Sequence, residues 1–230
     1  MSLIGDLSQT IQVKSSYTEL GVSTIDNYDL SIPFSSVTVT GSVDINTVGT
    51  YSIDYDVSDS SGNNAVTITR TVVVEDTEAP VIILAGDADI TLEADSPYSD
   101  AGASVTDNYN TGLTASVDLS SLDLTTVGVY TLTYSVSDSS GNAATPVYRT
   151  ITIVDTQAPT ITLVGNPTID IQAGTTYVDP GFTATDIYDG DLTAQVLVTG
   201  TVDTSILGAI TLSYDVSDSS NNDAPTKTRT

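Results

Sequence analysis

Residues 127–137 read VGVYTLTYSVS, and their alternation decides the fold class. Val129, Thr131, Thr133 and Ser135 fall on one parity; Tyr130, Leu132, Tyr134 and Val136 fall on the other. A period of two marks a strand with one buried face, here the face of the second set. Downstream the chain turns, and the turning phrase recurs: residues 56–63 read DVSDSSGN, 135–142 SVSDSSGN and 215–222 DVSDSSNN. Its aspartates Asp59, Asp138 and Asp218 recur every 79 to 80 residues. Tyr17, Tyr98 and Tyr177 keep nearly the same step, as do Gly21, Gly102 and Gly181, then Asp44, Asp123 and Asp203. A period near 80 suits a small complete domain better than a solenoid unit that cannot fold alone. The expected organisation is therefore three modules: 1–76, 77–155 and 156–230.

Within the middle module, Val81–Leu84, Asp89–Glu93, Ala103–Thr106, Thr114–Leu119 and Val147–Val154 are further β-rich runs. Clusters of Gly, Asp, Asn, Ser and Pro separate them and make turns. No segment keeps a 3.6-residue period, so almost no helix is expected. Six or seven short strands in such a span predict an all-β fold: three tandem immunoglobulin-like antiparallel β-sandwich domains. Tyr51 and Tyr130 open the long strand, where such sandwiches place a tyrosine corner; Ile210 stands there in the third module.

Composition narrows the function. The chain is 39% hydrophobic, too apolar for a disordered acidic tail. Five basic against 30 acidic residues give a net charge of −25, with no histidine. Such a surface repels phosphate backbones and anionic membranes and attracts cations, so nucleic-acid binding and membrane insertion are not expected. No apolar run reaches the length of a membrane span. There is no cysteine, which argues against a disulfide-stapled secreted domain.

Four pieces of sequence resemble a known group. They are Ala158-Pro159-Thr160-Ile161-Thr162-Leu163, Tyr177-Val178-Asp179-Pro180-Gly181, Asp189-Gly190-Asp191-Leu192-Thr193 and the stretch Gly49–Asn63. In this order they resemble the bacterial Ig-like domains related to the hyalin repeat, over essentially all three modules. Departures are Ser99-Asp100-Ala101-Gly102 without the proline, Asn221 for glycine and Ile210 for tyrosine. The resemblance implies arrays within long secreted or surface-anchored bacterial proteins, where such modules extend, space or adhere. The first module lacks the Ala-Pro start, and the third stops at Arg229-Thr230 where the second runs on through Ile151–Asp155. The expectation is a segment of a longer array.

Without His or Cys there is no Ser-His-Asp triad, no cysteine nucleophile and no ordinary zinc site, and no catalytic residue is assigned. Calcium is the open chemistry, because hard cations take oxygen ligands. In an Ig-like sandwich the preceding module's last residue arrives beside the BC and FG loops. On that reading Asp76 meets Asp107 and Asp138, and Asp155 meets Asp186 and Asp218: six candidate calcium ligands. No EF-hand is present, since the twelfth position from Asp186 is Leu197. The competing reading is that these aspartates only cap their own turns.

Arg70, Arg149 and Arg229 occur once per module, and each is expected to pair with a carboxylate or a tyrosine face. Tyr28, Tyr109 and Tyr188 are the candidates for a stacking platform; their exposure would favour ligand binding, their burial a spacer. The function expected is a non-catalytic spacer of an exported bacterial surface or secreted protein. Its partners are the neighbouring repeats of the same chain. The alternative is an adhesion module for a cell-surface glycan or protein.

Overall fold

The computed structural model describes residues 1–230, and the architecture is all-β. The first repeat contributes β1 (Ser2–Leu3), β2 (Ser8–Gln12), β3 (Val22–Ser23), β4 (Thr38–Thr40), β5 (Gly49–Asp56) and β6 (Ile68–Glu75). The second contributes β7 (Val81–Leu84), β8 (Asp89–Glu93), β9 (Ala103–Thr106), β10 (Ser116–Asp118), β11 (Gly128–Ser135) and β12 (Val147–Val154). The third contributes β13 (Thr160–Leu163), β14 (Phe182–Asp186), β15 (Gly190–Asp191), β16 (Leu197–Thr199), β17 (Leu212–Asp215) and β18 (Lys227–Arg229). Two short 3-10 turns, Phe34–Ser36 and Thr193–Gln195, are the only helical pieces.

The chain gathers into two compact units. One comprises Met1–Gly86, Ala101–Asp118 and Thr133–Tyr148; the other comprises Asp87–Asp100, Leu119–Leu132 and Arg149–Thr230. In the first unit a four-stranded sheet has the order β2-β6-β5-β4, and β1 pairs with β3, β7 with β9 and β10 with β11. In the second unit the pairings are β8 with β12, β13-β14-β15 and β16-β17-β18.

One pairing departs from the antiparallel pattern that the sequence predicts. Strand β2 runs parallel to β6, and β8 parallel to β12. The cause is a break in each repeat's first strand. Gly5 and Gly86 sit there at φ of 84° and 75°, in the left-handed region where a side chain is strained. The piece before the glycine joins the small sheet, and the piece after it joins the last strand of its own repeat. In the third repeat the same parallel contact survives as two bonds: Ile169 N–H to Thr230 O and Thr230 N–H to Pro167 O, both 2.9 Å.

The parity read from residues 127–137 holds. Leu132 and Tyr134 are buried, whereas Val129, Thr131 and Ser135 are exposed. Ile53 and Tyr55 repeat this in β5, packed with Val22. Each fully buried aliphatic of this kind contributes roughly 1.5–3 kcal/mol. The tyrosine corner forms where the tyrosine exists: Tyr51 Oη donates to Thr47 O (2.8 Å) and Tyr130 Oη to Thr126 O (2.9 Å).

Each arginine is buried and paired as expected, and its partner comes from the Tyr-x-acid-x-Gly motif. Arg70 pairs with Glu19 (3.1 Å), Arg149 with Asp100 and Arg229 with Asp179. The guanidinium also ties down main-chain carbonyls: Ile4 for Arg70 (2.7 Å), Asp87 for Arg149 (2.9 Å) and Val164 for Arg229 (2.6 Å). Burial would raise Glu19, yet hydrogen bonds from Tyr17 and the Gly21 N–H, with the Arg70 charge, hold it below the usual carboxylate range. Burial and the Glu19 carboxylate push Tyr55 up to about 12.

Candidate metal centres

The last strand of each of the first two repeats has an unusual inward face. Arg70, Val72, Val74 and Asp76 share one parity and are all buried; Arg149, Ile151, Ile153 and Asp155 do the same. Alternation thus carries a charge inward at both ends of the strand, six residues or about 20 Å apart at the usual rise. The arginine end meets its acid. The aspartate end enters the loops of the following repeat.

At the first site Asp76, Asp107 and Asp138 bring carboxylate oxygens within 4.8 Å of one another. Asp107 caps its own turn: Oδ2 accepts the N–H of Tyr109 (2.9 Å) and of Asn110 (2.7 Å). Asp138 closes the SDSSGN turn, with Oδ1 accepting Asn142 N–H (2.8 Å) and Oδ2 accepting Asn142 Nδ2 (2.7 Å). The same Asn142 amide donates to the Asp76 main-chain carbonyl (3.0 Å), fastening the repeats together. Asp76 Oδ1 accepts Gln12 Nε2 (3.0 Å) and Glu78 N–H (3.3 Å). At Asp107 one oxygen caps the turn and the other is left free, whereas both oxygens of Asp138 are held by Asn142. Asp76 Oδ2, Asp107 Oδ1 and Asn108 Oδ1 are buried with no hydrogen-bond partner.

The second site repeats this plan with Asp155, Asp186 and Asp218, and Asp189 joins them within the same 4.8 Å. Asp186 Oδ1 caps Tyr188 N–H (2.8 Å) and Asp189 N–H (3.0 Å). Asn222 bonds Asp218 and donates to the Asp155 carbonyl (3.1 Å). Asp155 Oδ2 is buried without a partner. Burial, reinforced by the charges of Asp186 and Asp218, raises the Asp155 carboxyl above its usual value despite a hydrogen bond from Gln157 N–H. At Asp138 burial acts the same way, but hydrogen bonds from Asn142 and from the Ser140 and Gly141 N–H groups together outweigh it and the carboxyl is lowered.

Of the six aspartates, Asp76, Asp107 and Asp138 lie in one cluster and Asp155, Asp186 and Asp218 lie with Asp189 in the other. The sequence reading missed Asp189, whose signal was its place three residues after Asp186, where Asn110 follows Asp107. It also missed Asn142 and Asn222 as fasteners. The tyrosines diverge: Tyr28 is exposed, while Tyr109 and Tyr188 are half-buried. Tyr109 Oη accepts Val48 N–H (3.4 Å) and Tyr188 Oη accepts Val127 N–H (3.2 Å), each from the preceding repeat.

The donor set fits a hard cation. Two ligands on one calcium at 2.3–2.6 Å stand at most about 5 Å apart, which the clusters satisfy. The orphaned buried oxygens supply the strongest fit, because a polar atom left unpaired inside a protein costs about 1–3 kcal/mol.

Asp155 gives a test by pH. Its raised value means that the folded, metal-free chain binds a proton more tightly there than the unfolded chain does. Stability contributed by this group therefore falls as pH rises from the ordinary aspartate value, about 4, through the raised one, and stays low above it. Metal-free Asp155→Asn is expected to melt above the wild type at pH 7, with the gap closing on acidification. In calcium the order is expected to reverse, as the substitution takes away one candidate ligand oxygen. Calorimetry showing no difference in either condition would contradict the repulsion described here.

A family model for the bacterial surface protein Ig-like domain matches residues 1–74, 82–153 and 161–230. Hyalin of Strongylocentrotus purpuratus is 35% identical over 174 residues, covering 72% of this chain and 14% of that protein. Hyalin of Lytechinus variegatus is 32% identical over 193 residues, covering 78% of this chain and 35% of that protein. An uncharacterised 81.3 kDa protein of Acholeplasma phage L2 is 33% identical over 161 residues, covering 66% of this chain and 20% of that protein. The chain thus spans about a third or less of the length of these relatives. Among solved structures, a lipoprotein of Bacteroides thetaiotaomicron aligns with a TM-score of 0.30 at 20% identity over 58% of each chain. No helix is long and apolar enough to cross a membrane. With its three matched repeats, the chain belongs to the bacterial surface protein Ig-like domain family.

Proposed function

We propose that this chain is a non-catalytic spacer within a larger exported bacterial surface or secreted protein, stiffened by calcium where one repeat runs into the next. The modules are 1–76, 77–155 and 156–230, and their partners are each other. The extracellular setting rests on the family, and a surface bathed in calcium is where such sites would fill. The observation that carries the reading is the pair of aspartate clusters, each holding a buried oxygen with no partner. Calcium supplies charge neutralisation there; Asp76 and Asp155 present it with the end of one repeat, the remaining aspartates with the loops of the next. The half-buried Tyr109 and Tyr188 support a spacer over a stacking platform.

An adhesion module for glycan or protein is the second reading, carried by Ile25 (82% exposed) and Tyr28 (82%) on one loop of the first repeat. Terbium separates the two. Tyr109 and Tyr188 lie two residues from Asp107 and Asp186, so excitation of tyrosine should sensitise bound terbium, and calcium should displace it. Asp107→Asn with Asp186→Asn should abolish the emission. No emission from the wild type sinks the calcium spacer; retention of the chain on a glycan array, lost in Tyr28→Ala, favours adhesion.

A further inference from the structure

The two clusters are built to one plan but differ in charge. Where the second site has Asp189, the first has Asn110; each is tied to the serine after its SDSS aspartate, Asp189 to Ser219 N–H (2.8 Å) and Asn110 Nδ2 to Ser139 Oγ (2.8 Å). Where the second has Glu93, bonded to Thr156 N–H (3.1 Å), the first has Gln12, bonded to Thr77 N–H (2.9 Å). The third difference is a lysine. Lys14 and Asp95 occupy the same left-handed position after the second strand piece, at φ of 62° and 63°. Lys14 Nζ donates to the main-chain carbonyl of Asn108, beside Asp107, and lies 6.0 Å from the Tyr109 ring centre. Its positive charge is thus fixed at the edge of the first site. The second site has an aspartate at that position.

Resting on the calcium reading above, we infer that the two sites are graded: the one at Asp155 fills at lower calcium than the one at Asp76. Three carboxylates with Gln12 and Lys14 beside them attract a divalent cation less than four carboxylates with Glu93 and Asp95 at the matching positions. Ligand charge count is a main control of affinity at oxygen sites, which range over several decades. The array would then stiffen in steps as calcium rises.

The test is a calcium titration of the whole chain followed by amide NMR, with Asn142 reporting the first site and Asn222 the second. The second is expected to saturate at about tenfold lower calcium or less. Asn110→Asp and Lys14→Met should each tighten the first site alone, and Asp189→Asn should bring the second to within about threefold of the first on the same charge argument. Equal midpoints, or the first site filling earlier, overturn the grading and leave the calcium reading intact. Unmoved amides at both sites overturn both.

Discussion

Arg149→Met is expected to destabilise the chain by about 3–5 kcal/mol, the usual cost of removing one partner from a buried ion pair. The Arg149 side chain has no exposed surface, and the Asp100 side chain is only 12% exposed. Removing the guanidinium leaves that carboxylate buried beside Tyr98 Oη, which donates to it at 2.9 Å, with no cation to balance it. The Asp87 carbonyl loses its donor as well, and Asp87 lies at the break where the first strand changes sheets. The loss should therefore reach the parallel pairing of β8 with β12. Because an ion pair and its apolar replacement are often equal in stability, Arg149→Met with Asp100→Leu should recover most of the loss. Urea unfolding, with hydrogen exchange at Leu132 and Ile151 to locate the change, measures both. A single substitution costing under about 1 kcal/mol would place this arginine among solvent-screened surface pairs instead.

That arginine also shows how far the sequence was legible. Local alternation revealed the strands, since parity is a property of neighbouring residues. The tyrosine corner was legible for the same reason, as Tyr51 reaches only four residues back. Arg149 and the Tyr98-Ser99-Asp100 motif were each visible, but not as one feature. About fifty residues separate them, and only the tertiary fold makes them neighbours. The parallel pairing was itself hidden, because a glycine in a turn does not announce that the strand beyond it changes sheets. Asp76 and Asp155 were more readable than they seemed. Continuing the buried parity from Arg70 through Val72 and Val74 lands on Asp76, so burial of that carboxylate follows from the strand alone. Asp189 escaped because its counterpart in the second repeat is Asn110, and the repeat comparison favoured positions that never vary.

Calcium is expected to raise the unfolding free energy of each site's surroundings by about 2.7 kcal/mol when its concentration is a hundred times the dissociation constant. Oxygen sites of extracellular modules bind with constants on the order of 10⁻⁴–10⁻³ M, so about 10 mM calcium reaches that condition at the tighter end. For domains of this size the gain corresponds to a rise in melting temperature of roughly 10–20 °C. The physical source is specific. In the metal-free chain Asp155, Asp186, Asp189 and Asp218 crowd their charges together, and Asp155 Oδ2 and Asp76 Oδ2 have no donor. A bound cation removes the repulsion and satisfies the orphans at once. A chain of net charge −25 would also gain from simple screening, so the control is sodium chloride at matched ionic strength, which weakens long-range repulsion without ligating. Asp107→Asn should abolish the calcium-specific rise at the first site and Asp186→Asn at the second, each leaving the other unchanged, because the two clusters share no residue. If sodium chloride reproduces the whole rise, and both variants follow the wild type, the clusters act only as turn caps and the cation is no part of the fold.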